Sequence, residues 1–173
     1  IGRAIGSEAL DRQCASIAVG ADGRDSSPWL REHLVNGLLA TGIDVIDTGT
    51  VATPMLYFAC HHLRTMSGVM ITGSHNPAEH NGFKVMIGGE TLRGAGILRL
   101  RDIIDDMIDV SLIDNNLLTL NIQPMWISHL LNLIGNEFKK PIAERRQTLN
   151  IHNFEGSDLM IYGDSERLYQ ALN

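Results

Sequence analysis

The sequence predicts an α/β fold in which a mainly parallel, mixed sheet is flanked by helices and followed by a helix-rich α+β tail. Up to about Gly96, short apolar runs typical of buried strands alternate with segments whose apolar residues recur at helical spacing. Beyond Gly96, longer amphipathic segments replace this alternation. We therefore predict two units, residues 1–97 and residues 98–173.

The strands of the first unit are predicted from short apolar runs bounded by glycine and polar residues. In chain order the runs are Ile17–Gly20, Ile43–Ile46, Gly68–Ile71 and Phe83–Ile87. Because strands that alternate with helices at this spacing pair mainly in parallel, the four runs predict one sheet.

Two helices are predicted between the first three strands. Ser27 before Pro28 has the form of an N-cap followed by proline at the first helical position, and Thr53 with Pro54 repeats it. Gly42 stands where a C-cap glycine would end the first helix. The apolar residues at helical spacing are Leu30, Leu34, Val35, Leu38 and Leu39 in the first, and Leu56, Ala59, Cys60 and Leu63 in the second.

The tail is predicted to contain three helices and two short strands. Its first helix carries apolar residues from Ile97 to Ile108 and four aspartates mostly on the other side, which we interpret as a solvated acidic face and not as a metal site. Pro124 is predicted to open the second helix, and Gly163-Asp164-Ser165 to cap the third. The predicted strands are Leu149–His152 and Leu159–Tyr162.

Composition excludes some classes of partner. The net charge of −6 over 173 residues leaves no basic surplus to neutralise the phosphates of a nucleic acid. No apolar run approaches the roughly 20 residues that span a bilayer. Cys14 and Cys60 lack a CxxC spacing, so we expect reduced thiols and a cytoplasmic location.

The segment 72–82 is the most informative stretch for function. Thr72-Gly73-Ser74-His75-Asn76-Pro77 directly follows a predicted buried strand, and ligands of α/β proteins gather at such strand ends. We expect Gly73 to supply unusual backbone angles and Ser74 to lie exposed on a tight turn. A solvated turn without function is the alternative interpretation of this motif taken alone.

Residues 1–97 resemble the first domain of the α-D-phosphohexomutases, the bacterial phosphomannomutase and phosphoglucomutase group. The resemblance rests on several strings that occur in the family's order. They are Ile1-Gly2-Arg3-Ala4-Ile5-Gly6-Ser7, Val19-Gly20-Ala21-Asp22-Gly23-Arg24, Gly42-Ile43-Asp44-Val45, Thr53-Pro54, Gly68 to Pro77, Asn81-Gly82-Phe83-Lys84 and Gly89-Glu90-Thr91-Leu92.

This resemblance implies a chemistry. Ser74 would be carried as a phosphoserine that exchanges phosphate with a hexose 1-phosphate or 6-phosphate of mannose or glucose. Mg²⁺ would bind the Ser74 phosphate, and a glucose 1,6-bisphosphate type of activator would charge the serine.

The residue types around Ser74 suit that chemistry, because phosphoryl transfer needs positioning and charge neutralisation. Lys84 supplies a point cation for catalysis and phosphate binding, unless it is only a solvated strand lysine. His75 is a candidate donor or proton shuttle, unless it only packs the loop. Asn76 and Arg24 are candidate phosphate-binding residues, and Asn76 is also expected to hold the loop through its side chain.

The sequence departs from the family pattern in ways that limit the prediction. Ala21 stands where the family has an arginine, and a phosphate-contacting arginine of the family would precede Ile1. The family's acidic metal loop, sugar-specificity loop and distal phosphate-binding domain are not found in this sequence. We therefore expect weak Mg²⁺ binding and an incomplete mutase cycle in this chain.

Residues 98–173 show a weaker resemblance to a segment of the sensor histidine kinases. Arg101 to Ser111 resembles the end of their dimerisation helix, and Pro124 to Phe138 together with Gly163 to Asn173 resemble the start of their ATP-binding domain. Two alternative functions stay open on this basis, a signalling or dimerisation module and an inactive phosphate-binding fragment. Cut sheet edges and apolar helix faces would favour self-association.

Overall fold

The computed structural model describes residues 1–151 and 159–172. The chain divides into two compact units, Ile1–Asp114 and Asn115–Asn173. The first unit has the element order of an α/β domain and contains every site residue predicted above.

The first unit contains four helices and five strands. The helices are α1 (Gly2–Asp11), α2 (Ser27–Leu39), α3 (Thr53–His62) and α4 (Ala95–Asp114). The strands are β1 (Ser16–Ala21), β2 (Asp44–Thr50), β3 (Gly68–Ile71), β4 (Phe83–Ile87) and β5 (Glu90–Thr91).

The strands form one mixed sheet in the order β2-β1-β3-β4-β5. Strand β1 pairs in parallel with β2 and with β3, whereas β4 is antiparallel to β3 and to β5. The mainly parallel, mixed sheet predicted from the sequence is therefore confirmed, with the antiparallel strands gathered at one edge.

Alternate residues of the central strands face two apolar layers. Ile17, Val19, Val69 and Ile71 belong to a core shared with α1, α2 and α4. Their neighbours in sequence face the other side, where α3 contributes Leu56 and Cys60. The sheet is thus enclosed by helices on both faces, which explains why its middle strands are apolar throughout.

Several local predictions need correction. Helix α1 was not predicted, since the buried side of its first half consists largely of glycine and alanine and gives a faint apolar pattern. Ser27 is the first residue of α2 and not its N-cap, which is Ser26. Gly42 follows the end of α2 by a turn, with a φ of +88° that favours glycine.

The predicted boundary after residue 97 falls inside α4, which lies wholly in the first unit. Leu100 is buried, and Ile103, Ile104 and Met107 pack against the same core as α1 and α2. This helix therefore completes the first domain, because its apolar residues pack on the core that α1 and α2 share with the sheet.

Helix α4 is also tied to α1 by a buried carboxylate. Glu8, only 2% exposed, accepts hydrogen bonds from Nε of Arg12 at 2.7 Å and Nε of Arg99 at 2.6 Å. Burial opposes ionisation of Glu8, but the hydrogen bonds and charges of Arg99 and Arg12 outweigh it and lower the pKa of this carboxyl.

Helices α1 and α2 cross at a point where glycine permits close approach. A Cβ on Gly2 would lie 2.5 Å from the carbonyl oxygen of Leu34 and 3.0 Å from Cα of Gly37. Both neighbours are backbone atoms, which cannot move aside as a flexible side chain can. The close approach of the two helices therefore depends on the missing side chain.

The described residues of the second unit, 115–151 and 159–172, form a two-stranded sheet and two helices. Its elements are β6 (Gln123–Trp126), α5 (Ile127–Glu144), β7 (Met160–Gly163) and α6 (Ser165–Leu172). Strands β6 and β7 are antiparallel. The predicted start of a helix at Pro124 is wrong: Pro124 lies in β6, where an edge strand tolerates its missing N–H, and the helix begins at Ile127.

The core of the second unit is thin. Among its described residues Leu130 is the buried apolar side chain, whereas Trp126 and Tyr162 are 50% and 73% exposed. Residues 149–151 are not in a strand, and His152, the end of that predicted strand, lies outside the described residues. Self-association through this part of the chain stays a prediction.

Within the described residues, none of the helices combines the length and the apolar character that crossing a bilayer requires.

The Glu8 network predicts acid sensitivity of the first unit. Since the folded pKa of Glu8 is lowered, its stabilisation is present above about pH 4.3, the ordinary value for glutamate, and is lost as pH falls through the folded pKa. We expect Glu8→Gln to lower the free energy of unfolding at pH 7 by about 1–3 kcal/mol and to flatten its acid dependence. Urea unfolding between pH 3 and 7 measures both. The exposed Asp11, 3.7 Å from Arg99, is the control, and Asp11→Asn should change little.

The helix crossing predicts a cost for the smallest added side chain. Gly2→Ala should destabilise the protein by about 1–3 kcal/mol, because the new methyl group overlaps the backbone of α2. Gly96→Ala in α4 is the matched control, since its Cβ would meet only the flexible side chain of Leu92. Equal thermal unfolding midpoints for the two variants would contradict the prediction.

Candidate functional site

The candidate site lies where the parallel strands β1 and β3 end side by side. Ala21 and Ile71, the last residues of the two strands, are partners in the register, and the N–H of Asp22 donates to the carbonyl oxygen of Ile71 at 2.9 Å. In sheet order, the chain leaves β1 towards β2 but leaves β3 towards β4. Oppositely directed connections open a crevice at the carboxyl ends of parallel strands, the usual ligand position in this class of sheet.

Asp22 is the acceptor around which the hydrogen bonds of the site are organised. Its Oδ1 accepts hydrogen bonds from the N–H of Arg24 at 3.2 Å and the hydroxyl of Ser27 at 2.6 Å. Its Oδ2 accepts from Nε of Arg24 at 3.2 Å and the N–H of Gly73 at 3.3 Å. One carboxylate thus joins the end of β1, the start of α2 and the loop that follows β3.

Thr72 extends this arrangement to the serine. The N–H of Ser74 donates to Oγ1 of Thr72 at 3.0 Å, and the Thr72 hydroxyl is hydrogen-bonded to Asp22. Burial raises the pKa of Asp22, but the bonds from Ser27, Arg24, Thr72 and Gly73 outweigh it and hold the pKa below its ordinary value. The carboxylate is therefore ionised at neutral pH and stays an acceptor.

Arg24 bonds the serine loop through its whole guanidinium group. Nη1 donates to the carbonyl oxygens of Pro77 at 2.6 Å and His80 at 3.0 Å, and Nη2 donates to those of Ser74 at 3.0 Å and Asn76 at 2.8 Å. With Nε bonded to Asp22, all five N–H donors of the group have partners. Arg24 was predicted to bind phosphate; the structure instead directs its donors to the loop backbone.

Gly73 has a different reason to be glycine from the one predicted. Its φ is not positive, so unusual backbone angles do not require it. A Cβ at this position would meet the guanidinium of Arg24 and lie 2.5 Å from the carbonyl oxygen of His80. The residue is small because Arg24 and the backbone of His80 occupy the space beside it.

Ser74 is the residue with the unusual backbone. It is exposed and has a φ of +53°, in the left-handed region that few residues other than glycine adopt. Non-glycine residues in that region cluster at functional sites. The turn that carries the serine hydroxyl is thus held in a conformation of raised energy by the bonds around it.

Asn81 anchors the far end of the loop. Its Nδ2 donates to the hydroxyl oxygens of Ser26 and Ser27 at 2.9 and 3.0 Å, and the N–H of Thr72 donates to the carbonyl oxygen of Gly82 at 2.9 Å. The loop is therefore closed at its base by backbone pairing and fixed laterally to the start of α2.

The other predicted residues occupy the same end of the sheet. His75 and Asn76 are exposed on the loop, and Asn76 is bonded through its main chain, its N–H donating to the carbonyl oxygen of Gly73 at 2.9 Å. Lys84 is the second residue of β4 and is exposed. Among the described residues, no side-chain hydrogen bond or ion pair links Ser74, His75 and Lys84 to one another.

Sequence reasoning missed Asp22, Thr72 and Ser27 as parts of the site. A signal was present for Asp22, since it directly follows an apolar strand just as Thr72 does. What the sequence does not reveal is that the two strands are neighbours, which brings residues 51 positions apart into contact.

The described residues include no group of three or more histidine, cysteine, aspartate or glutamate side chains that could hold a metal ion. Asp22, the carboxylate that is hydrogen-bonded to the loop backbone, is committed to hydrogen bonds. The donor set around Ser74 therefore does not fit a magnesium site built from this chain's own carboxylates, for which oxygen ligands are required.

Comparison with known proteins places the first unit in a family. Residues 1–107 match the family model described as "Phosphoglucomutase/phosphomannomutase, alpha/beta/alpha domain I". The chain is 53% identical over 105 residues to the phosphoglucomutase of Neisseria gonorrhoeae and 52% identical over 105 residues to the phosphomannomutase/phosphoglucomutase of Pseudomonas aeruginosa PAO1. Each match covers 61% of this chain and 23% of the relative.

A solved structure has the same fold. The phosphoglucomutase/phosphomannomutase family protein from Burkholderia thailandensis is 38% identical, with a TM-score of 0.56, over 61% of this chain and 25% of its own. The chain thus spans roughly a quarter of the length of the relatives it matches. Since the family model covers well over half of its residues, the chain belongs to the phosphoglucomutase/phosphomannomutase family, of which it carries the alpha/beta/alpha domain I.

Proposed function

We propose that this chain carries the phosphoserine of a phosphohexomutase-type reaction, in which phosphate moves between the 1- and 6-positions of mannose or glucose. The observation that supports this most directly is Ser74 itself. It is exposed on the loop that follows β3, in a left-handed backbone conformation, and the carbonyl groups of this loop are bonded by Arg24.

The proposed step is a phosphoryl transfer at the Ser74 hydroxyl. The serine oxygen forms a bond to phosphorus while the bond from phosphorus to a sugar oxygen breaks, and the serine proton passes to the departing oxygen. Return of the phosphate to the other position of the sugar reverses these bonds. Positioning and charge neutralisation supply most of the catalysis in such transfers.

His75 and Lys84 are proposed to assist this transfer. The imidazole of His75, adjacent to the serine, would carry the proton between the two oxygens. The ammonium of Lys84 would neutralise the transferred phosphate as a point cation. Both side chains are exposed at the end of the sheet that carries Ser74, which leaves them accessible to a substrate.

The proposal for this chain includes only weak magnesium binding and only part of the residues that a full reaction cycle requires. We propose that Mg²⁺ binds this chain weakly and through a Ser74 phosphate, because the described residues offer no carboxylate group set for it. The matched relatives are about four times as long as the segment they share with this chain, and we propose that the remaining walls of the site come from residues outside it.

The proposed function makes two predictions, of which the first is phosphorylation of Ser74. The chain incubated with glucose 1,6-bisphosphate should gain one phosphate, which mass spectrometry should map to the peptide that contains Ser74. Ser74→Ala should gain none, whereas Ser111→Ala, a substitution in α4, should behave as the unchanged chain. A folded sample with no phosphate on Ser74 would remove the proposed role.

The second prediction concerns the cation. Lys84→Met should slow phosphorylation of Ser74 roughly 100-fold, since the charge that stabilises the transferred phosphate is lost. Because Lys84 is exposed, the urea unfolding midpoint of the Lys84→Met variant should equal that of the unchanged chain. Arg93→Met, at another exposed cation of this unit, should leave the rate unaltered. A rate for Lys84→Met equal to that of the control would assign Lys84 to the solvated surface.

A further inference from the structure

We infer that Arg24 and Asp22 are positioning residues: together they form a clamp that sets the backbone of Ser74 for phosphate transfer without contacting the phosphate. This rests on the proposed role of Ser74, but the clamp itself is a property of the loop and can be measured without any reaction. Nothing in the family match assigns a role to these two side chains.

Hydrogen bonds from the guanidinium of Arg24, and not apolar burial, hold the serine loop in place. Residues 74–80 are all exposed, so apolar burial cannot hold them. Their internal backbone bonds are few, Asn76 N–H to Gly73 at 2.9 Å and His80 N–H to Pro77 at 3.0 Å. The four carbonyl bonds from Arg24 are the contacts that gather the loop around one point.

Both peptide groups that flank Ser74 are fixed by this network. Its N–H donates to Oγ1 of Thr72, which is bonded in turn to Asp22, and its carbonyl oxygen accepts from Nη2 of Arg24. A residue in the left-handed region costs of order 1–3 kcal/mol and persists only where its surroundings hold it. The clamp supplies that restraint on both sides of the serine.

The same geometry excludes Arg24 from binding a phosphate. All five of its N–H donors are used, and its charge faces the Asp22 carboxylate at 3.2 Å. Lysine could not replace it, because an ammonium has three donors on a point and lacks the planar fork that reaches four carbonyl groups. A cation for the phosphate must come from another residue.

Gly73 provides independent support for the clamp. Its φ does not require glycine, yet a Cβ would collide with the guanidinium of Arg24. The glycine of the Thr-Gly-Ser-His-Asn-Pro motif is therefore explained by the space that Arg24 and the His80 carbonyl group it bonds occupy beside the loop. An Arg24 side chain that extended into solvent, away from the loop, would not itself require residue 73 to lack a Cβ.

Amide hydrogen exchange of the full chain, without ligand, tests the clamp. In Arg24→Lys and Arg24→Ala, exchange at Asn76 and His80 should accelerate roughly tenfold or more, because charge-assisted bonds to the loop are lost. Amides of β1 and β3 should keep their protection, which shows that the fold persists. Arg93→Lys is the matched control. Unchanged exchange at Asn76 and His80 in Arg24→Lys would overturn the clamp.

Adding free guanidinium ion to Arg24→Ala distinguishes a positioning role of Arg24 in the loop from a general contribution to the stability of the fold. At concentrations far below denaturing, guanidinium should restore loop protection in Arg24→Ala, whereas methylammonium should not. Failure of both ions to restore protection would count against the clamp.

Phosphorylation by glucose 1,6-bisphosphate is then measured on the same samples. Loss of loop protection together with no phosphate on Ser74 even in the unchanged chain would refute the proposed function and leave the clamp standing. Full phosphorylation of Arg24→Lys despite a loosened loop would show that the clamp does not position the serine.

Discussion

The carboxylate of Asp22 is the interaction on which the candidate site depends. It lies just beyond β1 and accepts hydrogen bonds from Arg24, Ser27, Thr72 and Gly73, which come from three separate segments of the chain. Hydrogen bonds to a charged group contribute about 1.5–3 kcal/mol each. No other described carboxylate beside the serine loop has comparable bonding, and the position of Arg24 follows from it.

Arg24 links the Asp22 carboxylate to the backbone of the serine loop. Its aspartate-bound guanidinium faces the carbonyl groups of the serine loop, and Gly73 leaves room for it. The result is a strained turn, fixed by these bonds on an otherwise exposed surface, that carries the serine hydroxyl. Preorganisation of this kind reduces the entropy that a reacting group must lose when substrate arrives.

The fold was predictable where burial dictates local pattern. Strands β3 and β4 have the predicted bounds because both are short runs dominated by buried apolar residues. Helix α1 escaped prediction because small residues replace large apolar ones at its contact with α2. The predicted domain boundary is too early, since helix α4 looks in sequence like the start of a tail but packs on the core of the first unit.

The sequence by itself determined the α/β class, the family resemblance of the first domain and the serine loop as its chemical centre. These are properties of residue type and local spacing, which the printed order of residues contains. Only the tertiary structure decided what Asp22 and Arg24 do. Strands β1 and β3 become neighbours because the connection from β2 to β3 crosses over β1, and this adjacency brings residues 50 positions apart within hydrogen-bond distance. Contacts between residues so far apart produce no spacing pattern in a single sequence. The contact of Arg24 and Asp22 with the serine loop is therefore seen only in the folded structure.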